Sequence, residues 1–211
     1  MSIYLLSNSK HKGVVNLPQI EINFKKVDID YKDYDALIFS SKNGVRAVDA
    51  SIDKWRDIPA YSIGSATSKE ITRVGGNLVY EAKSSYGDDF AKEIILHLQD
   101  KRVLFLRAKK IVSNIESILK EGGVKLDSIV VYETKCAKKI DIEFEEDSIF
   151  IFTSPSTVEC FFKNYEWKSS FRAVCIGEVT NRALPKEVTS YVSTSQNIQA
   201  LIEFAHNLKT F

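Results

Sequence analysis

The chain has 211 residues, 44% of them hydrophobic, with 29 Lys and Arg against 28 Asp and Glu for a formal charge of +1. Such a composition supplies a sizeable core and argues against disorder, while the near-neutral charge leaves no excess positive field to drive general nucleic-acid binding by counterion release. Apolar runs such as 36–39 and 149–152 reach only four residues, far below the roughly 18 of a membrane span, and the opening Met-Ser-Ile-Tyr-Leu-Leu-Ser is too short in apolar residues for a secretory segment, so a cytoplasmic protein is expected.

In chain order, Tyr4-Leu5-Leu6 reads as a strand, 10–18 holds Gly13 and Pro18 and is too short for a helix, and 20–27 is a second extended run. Periodicity then gives strand 36–40, helix 43–51, strand 58–63, helix 66–74, strand 77–80, helix 87–98, strand 102–106, helix 111–121 and strand 125–132. Gly75-Gly76 and Gly122-Gly123 stand just past their helices, where a left-handed cap favours glycine. Strand 148–152, helix 155–164, strand 171–176, helix 178–184, strand 188–192 and helix 196–208 complete the chain. Strict alternation of strand and helix predicts open parallel α/β sheets.

An internal repeat organises these elements. Phe39-Ser40-Ser41-Lys42-Asn43-Gly44-Val45 aligns with Phe152-Thr153-Ser154-Pro155-Ser156-Thr157-Val158, and Ile63-Gly64-Ser65-Ala66-Thr67 with Ile176-Gly177-Glu178-Val179-Thr180, both 113 positions apart. The second copy is one unit short, and the N-terminus offers the missing piece, because Tyr4–Lys10 resembles Leu104–Lys110 and 20–27 matches the strand ending at Tyr132. The expected organisation is a discontinuous domain of residues 1–26 plus 134–211, with 27–133 inserted as a second domain and two crossings of the chain as the linker.

Cys136, Cys160 and Cys175 are odd in number and form no C-x-x-C pair, which argues against a disulfide framework or a zinc site and fits a reducing compartment. Cys160 and Cys175 read as buried inert thiols, and His11, His97 and His206 as surface or helix-end residues. No Walker sequence, G-x-G-x-x-G, Ser-His-Asp order or cluster of metal ligands occurs.

Each repeated motif sits where a strand passes into a helix, on the edge where open α/β sheets bind ligands. Turns rich in Ser, Thr, Asn and Gly expose backbone N–H groups to anions, and Lys10, Lys12, Lys42, Arg107, Lys109 and Lys110 add positive charge on that edge. A polycarboxylate or phosphorylated small molecule is the expected ligand. Helix capping alone competes with ligand contact for any single Ser or Thr, and by position alone Tyr132 reads as structural.

Phe39–Val45, Ile63–Thr67, Leu106-Arg107, Val131-Tyr132-Glu133-Thr134, Phe152–Val158 and Ile176–Thr180 together resemble uroporphyrinogen-III synthase, in order and over nearly the whole chain. The resemblance implies two flavodoxin-like three-layer parallel-sheet domains, one of them discontinuous, joined by a two-stranded linker. It also implies closure of hydroxymethylbilane, a linear tetrapyrrole with eight carboxylates, to uroporphyrinogen III with loss of water and inversion of ring D. Tyr132 matches the family's tyrosine and is expected to donate a proton to the leaving hydroxyl. Ser41, Asn43, Gly64, Thr67, Arg107, Lys109, Ser154, Ser156, Gly177 and Thr180 are the expected substrate-binding positions, without metal or cofactor. Two departures stand out: the second arginine that relatives often carry after Arg107 is replaced by Val112, with Lys109 or Lys110 as substitutes, and Glu178 holds a place often taken by proline. A monomer is expected, with transient contact with the bilane-forming enzyme left open. The alternatives are a non-catalytic binder of tetrapyrroles or polycarboxylates on the same fold, and a flavin or nucleotide protein.

Overall fold

A computed structural model describes residues 1–49, 53–83, 86–195 and 197–208. Its strands are β1 (Ile3–Leu6), β2 (Val15–Asn16), β3 (Ile20–Phe24), β4 (Ala36–Phe39), β5 (Ala60–Ser62), β6 (Leu78–Glu81), β7 (Arg102–Ala108), β8 (Lys125–Cys136), β9 (Ile149–Phe152), β10 (Arg172–Cys175) and β11 (Ser190–Val192). Its helices are α1 (Lys42–Asp49), α2 (Ser65–Arg73), α3 (Gly87–Ile94), α4 (Ile115–Glu121), α5 (Pro155–Asn164), α6 (Glu178–Asn181) and α7 (Ile198–Asn207). The last two residues of the helix expected over 43–51 and the first of that over 196–208 lie outside the described residues. Internal contacts divide the chain into two compact units, Ile22–Thr134 and Met1–Glu21 with Lys135–Phe211.

In the inserted unit the sheet order is β3-β8-β7-β4-β5-β6. The pairs β8/β7, β7/β4, β4/β5 and β5/β6 are parallel. Central strands of this kind are covered on both faces, which is why their sequences are continuous apolar runs. Alternation sends Leu37, Phe39, Leu104 and Leu106 to one face, with Val45 and Val48 of α1, Ile71 of α2 and Trp55. Ala36, Ile38, Val103 and Phe105 go to the other, with Phe90 and Ile94 of α3 and Ile115 and Leu119 of α4. Full burial of each such Leu, Ile or Phe contributes about 2 kcal/mol.

The other unit has the order β11-β10-β9-β1-β2, with every pair parallel. Tyr4, Leu6, Phe150 and Phe152 pack with Val158 and Phe161 of α5, and Ile3, Leu5, Ile149 and Ile151 pack with Leu201, Ile202 and Ala205 of α7. Registers confirm the N-terminal correspondence: Ile3 pairs Ile149 as Val103 pairs Ala36, so Tyr4 stands in the place of Leu104.

The second N-terminal match fails. Beside β1 lies β2, with Tyr4 opposite Val15, whereas 20–24 forms β3 and joins β8 in the other sheet. The N–H of Lys25 donates to Val131 O and that of Ala137 to Gln19 O, both at 2.9 Å, an antiparallel arrangement. Pro18 explains the division, since it has no N–H for the ladder and ends β2 after Asn16. Other boundaries shift for local reasons. β8 runs on to Cys136 because it passes from one unit into the other, α4 starts at Ile115 rather than 111, and α6 ends at Asn181, with Pro185 close behind.

The cysteine reading is corrected. Cys136, at the end of β8, is disulfide-bonded to Cys160 on α5, with Cα atoms 5.1 Å apart, and Cys175 is the free, buried thiol. An odd count excludes only complete pairing, and the extension of β8 past Tyr132 is what carries Cys136 to the helix.

Candidate functional site

The repeat is reproduced in backbone hydrogen bonds at both sheet edges. The N–H of Ile63 donates to Phe39 O at 3.2 Å, as that of Ile176 does to Phe152 O at 3.0 Å. Thr67 N–H donates to Gly64 O at 3.0 Å, as Thr180 N–H does to Gly177 O at 3.1 Å, and both threonines are buried. Gly44 N–H donates to Ser41 O at 2.9 Å, as Thr157 N–H does to Ser154 O at 3.1 Å. Each strand tip thus turns into its helix by the same device, leaving small polar residues at the edge. The first turns of α1, α2 and α5 carry no acidic residue, so the positive ends of these helices stay unneutralised. α6 differs, having four residues with exposed Glu178 at its start.

Glycine is required at two of these turns. Gly64 has φ +72°, where a side chain is strained, and a Cβ on Gly44 would lie 3.0 Å from Leu106 O, so α1 sits close against β7. Gly177, at φ 178°, is extended backbone open to any residue.

In the inserted unit Ser41 directly precedes α1 and Tyr132 lies on β8. The Tyr132 ring is buried, in the apolar cluster that also holds Phe39, Val45, Ala108 and Val131. Burial pushes the phenol above its ordinary pKa, with the Ser41 hydroxyl acting the other way. Ser41 Oγ accepts from Asn43 N–H at 3.2 Å, and Lys109 N–H donates to Tyr132 O at 2.9 Å. Tyr132 lies opposite Ala108 just past a register shift in the β7/β8 ladder. Lys109 holds its ammonium at the surface, 3.4 Å from Glu133 Oε2.

Arg107 is engaged inside its own unit. Its Nε lies 3.2 Å from Glu116 Oε2 and 3.4 Å from Ser128 Oγ, and its Nη1 donates to Ala108 O at 3.0 Å. Burial opposes ionisation of Glu116, but hydrogen bonds from Ser128 and Lys120 and the charges of Arg107 and Lys120 outweigh it and hold the carboxyl below its usual range.

In the other unit Ser154 is the N-cap of α5. Its Oγ accepts from Thr157 N–H at 3.3 Å while Thr157 Oγ1 accepts from Ser154 N–H at 3.2 Å, a reciprocal capping box. Ser156, in the first turn of α5, is half-buried. Residues the sequence reading passed over include Thr157, signalled by its place three after a Ser-Pro start, and Asn16. The Asn16 amide donates to Ser9 O at 2.6 Å and Ser7 O at 3.3 Å and accepts from His11 N–H, fixing the loop after β1.

These tips, small, hydroxyl-rich and duplicated, suit carboxylates better than a nucleotide. The family model described as uroporphyrinogen-III synthase HemD matches residues 10–203. The chain belongs to the uroporphyrinogen-III synthase family. It is similar to the uroporphyrinogen-III synthetase from Helicobacter pylori 26695, with 28% identity and a TM-score of 0.84 over 98% of this chain and 99% of that one. A mutant uroporphyrinogen III synthase from the extremely thermophilic bacterium Thermus thermophilus, 14% identical over 99% of each chain, shares the fold with a TM-score of 0.61. No curated protein sequence matches the chain. As a uroporphyrinogen-III synthase it is a cyclising lyase of haem biosynthesis that closes hydroxymethylbilane with loss of water and inversion of ring D. Among the described residues no helix is long and apolar enough to cross a membrane.

Proposed function

We propose that Tyr132 is the proton donor of this cyclisation. The observation that carries the reading is the place of Tyr132, a buried ring opposite Ala108 at the tip end of the β7/β8 ladder, with its pKa raised by burial. A phenol protonated throughout the neutral range suits a general acid. Its proton passes to the terminal hydroxyl of the bilane, the carbon–oxygen bond breaks, and water leaves with the bonding pair. The azafulvene cation is then attacked by the substituted carbon of the last pyrrole, and the spiro intermediate rearranges with that ring inverted. Holding this geometry is the second task, because unguided closure gives the symmetric type I isomer, and backbone amides and hydroxyls fixed by the fold meet it without a strong nucleophile.

For the carboxylates we assign Asn43, Lys109, Ser156 and the turn amides at Gly64, Thr67, Gly177 and Thr180. Ser154 contributes through the cap it forms, and Arg107 through its charge while it stays on Glu116. No cofactor is required. The two units are read as flavodoxin-like three-layer domains, one discontinuous, in a monomeric cytoplasmic protein. The cysteine argument for a reducing compartment is withdrawn, since two of the three are paired. Family membership does not favour the non-catalytic binder.

The test is to generate hydroxymethylbilane in situ, add protein, oxidise, and separate type I from type III uroporphyrin. The native chain gives predominantly type III, and Tyr132→Phe loses about 100-fold in rate with its fold retained. A Tyr132→Phe protein at full rate rejects the assignment.

A further inference from the structure

The loop between β7 and α4, residues 109–114, leaves the strand-tip edge of the inserted unit and is fastened at both ends. At its start Lys109 N–H donates to Tyr132 O at 2.9 Å. At its end Asp88, in the first turn of α3, accepts twice from Asn114, the backbone N–H on Oδ1 at 2.7 Å and the side-chain amide on Oδ2 at 3.0 Å. Two N–H groups on one carboxylate make a charge-assisted pair of specific geometry. Asn114 is the N-cap of α4, a position where Asn commonly binds its own helix, yet its side chain makes no such bond and reaches α3 instead. Gly87 lets the two segments meet, because a Cβ there would lie 2.5 Å from Ser113 Cβ and 2.6 Å from Ser113 Oγ. Between the anchors Ile111 packs against the apolar clusters on both sheet faces, while Lys109, Lys110 and Val112 are exposed, Val112 by 75%.

We propose that Asp88 is a positioning residue for substrate binding, its clasp on Asn114 holding the β7–α4 loop so that Lys109 and Lys110 meet carboxylates of the bilane and Val112 lies against a pyrrole. A linear tetrapyrrole carries acidic chains on flat apolar rings, and the loop presents the complements of both within residues 109–112. Fixing the loop beforehand removes its ordering from the binding step. The charge of Asp88 works in the opposite direction, because an anion on the edge that receives an eight-carboxylate substrate repels it, so the benefit comes through the loop. A role confined to the start of α3, where Asp89 supplies a second acid, would show in stability and not in KM. The proposal rests on the reading of Lys109 as a carboxylate contact and extends it to the rest of the loop.

The test measures KM and kcat with hydroxymethylbilane for the native chain, Asp88→Asn, Asn114→Asp and Asp88→Asn/Asn114→Asp, each checked for fold by circular dichroism. Asp88→Asn sets amide against amide and Asn114→Asp sets carboxylate against carboxylate; each is expected to raise KM about tenfold with kcat within about twofold. The exchanged pair in the double variant again joins an amide to a carboxylate and should bring KM back close to the native value. Amide hydrogen exchange over residues 109–114 should quicken in the single variants and slow again in the double. Gly87→Ala, which crowds Ser113 without changing charge, should raise KM as well. In a Lys109→Met/Lys110→Met protein, whose KM is itself raised, Asp88→Asn should add little. An unchanged or lowered KM in Asp88→Asn, or a double variant no better than the single ones, overturns the clasp and leaves Lys109 as a substrate contact. A native KM in Lys109→Met/Lys110→Met overturns both.

Discussion

At the scale of single residues, the helices that follow β4 and β5 are pinned together by one buried carboxylate. Glu70 on α2 accepts from Arg46 of α1 at 2.7 Å and from Arg73 at 2.9 Å. The hydrogen bonds from Arg46 and Arg73, and their charges, prevail over burial and hold Glu70 well below the usual carboxylate range, at about 2. The folded-state pKa is depressed, so the stabilisation is fully present above the unfolded value near 4.5 and is lost as pH falls through about 2. Both arginines are largely exposed, and solvent screening reduces the gain to about 2 kcal/mol at neutral pH. Urea unfolding of the native chain and Glu70→Gln should differ by that amount at pH 7 and converge toward pH 2. A difference independent of pH would mean that Glu70 acts through packing and not through its charge.

At the scale of elements, the disulfide joins the end of β8 to α5, the helix capped by Ser154 and Thr157. Closing a loop with a sequence separation of 24 residues removes unfolded-state entropy worth about 3 kcal/mol. Denatured, unreduced protein should therefore take up one thiol label, on Cys175, and reduction should lower the urea midpoint of the native chain while leaving a Cys136→Ser/Cys160→Ser variant unmoved. Uptake of three labels before reduction would refute the pairing. This bond was not legible in the sequence, because it depends on where β8 stops, and nothing in Val131–Cys136 marks the strand's passage beyond Tyr132. The partition of β2 and β3 between two sheets was missed for a related reason: a two-residue strand carries no periodicity, and only Pro18 signalled the break. The tips were legible because duplication states each of them twice, Ser41 with Ser154 and Thr67 with Thr180, at one spacing. The engagement of Arg107 was not, since Glu116 reaches it from a separate helix and no local pattern pairs them.

At the scale of the whole molecule, the apolar clusters of the described residues each lie in one unit or the other. Those on the two faces of the β4-containing sheet draw only on residues of the inserted unit, and those around β1 and β9 only on the other. Each unit thus has its own core, and stability has no reason to be a single number for the chain. The two tryptophans report them separately, because Trp55 is buried with Phe39 in the inserted unit and Trp167 packs beside Phe150 and Phe162 in the other. In Trp167→Phe protein, fluorescence during urea unfolding follows Trp55 alone, and in Trp55→Phe it follows Trp167 alone. The midpoints should differ. Glu70→Gln should move the Trp55 transition and leave that of Trp167 in place, while reduction of Cys136–Cys160 does the reverse. Coincident midpoints that shift together under both perturbations would show one cooperative body instead.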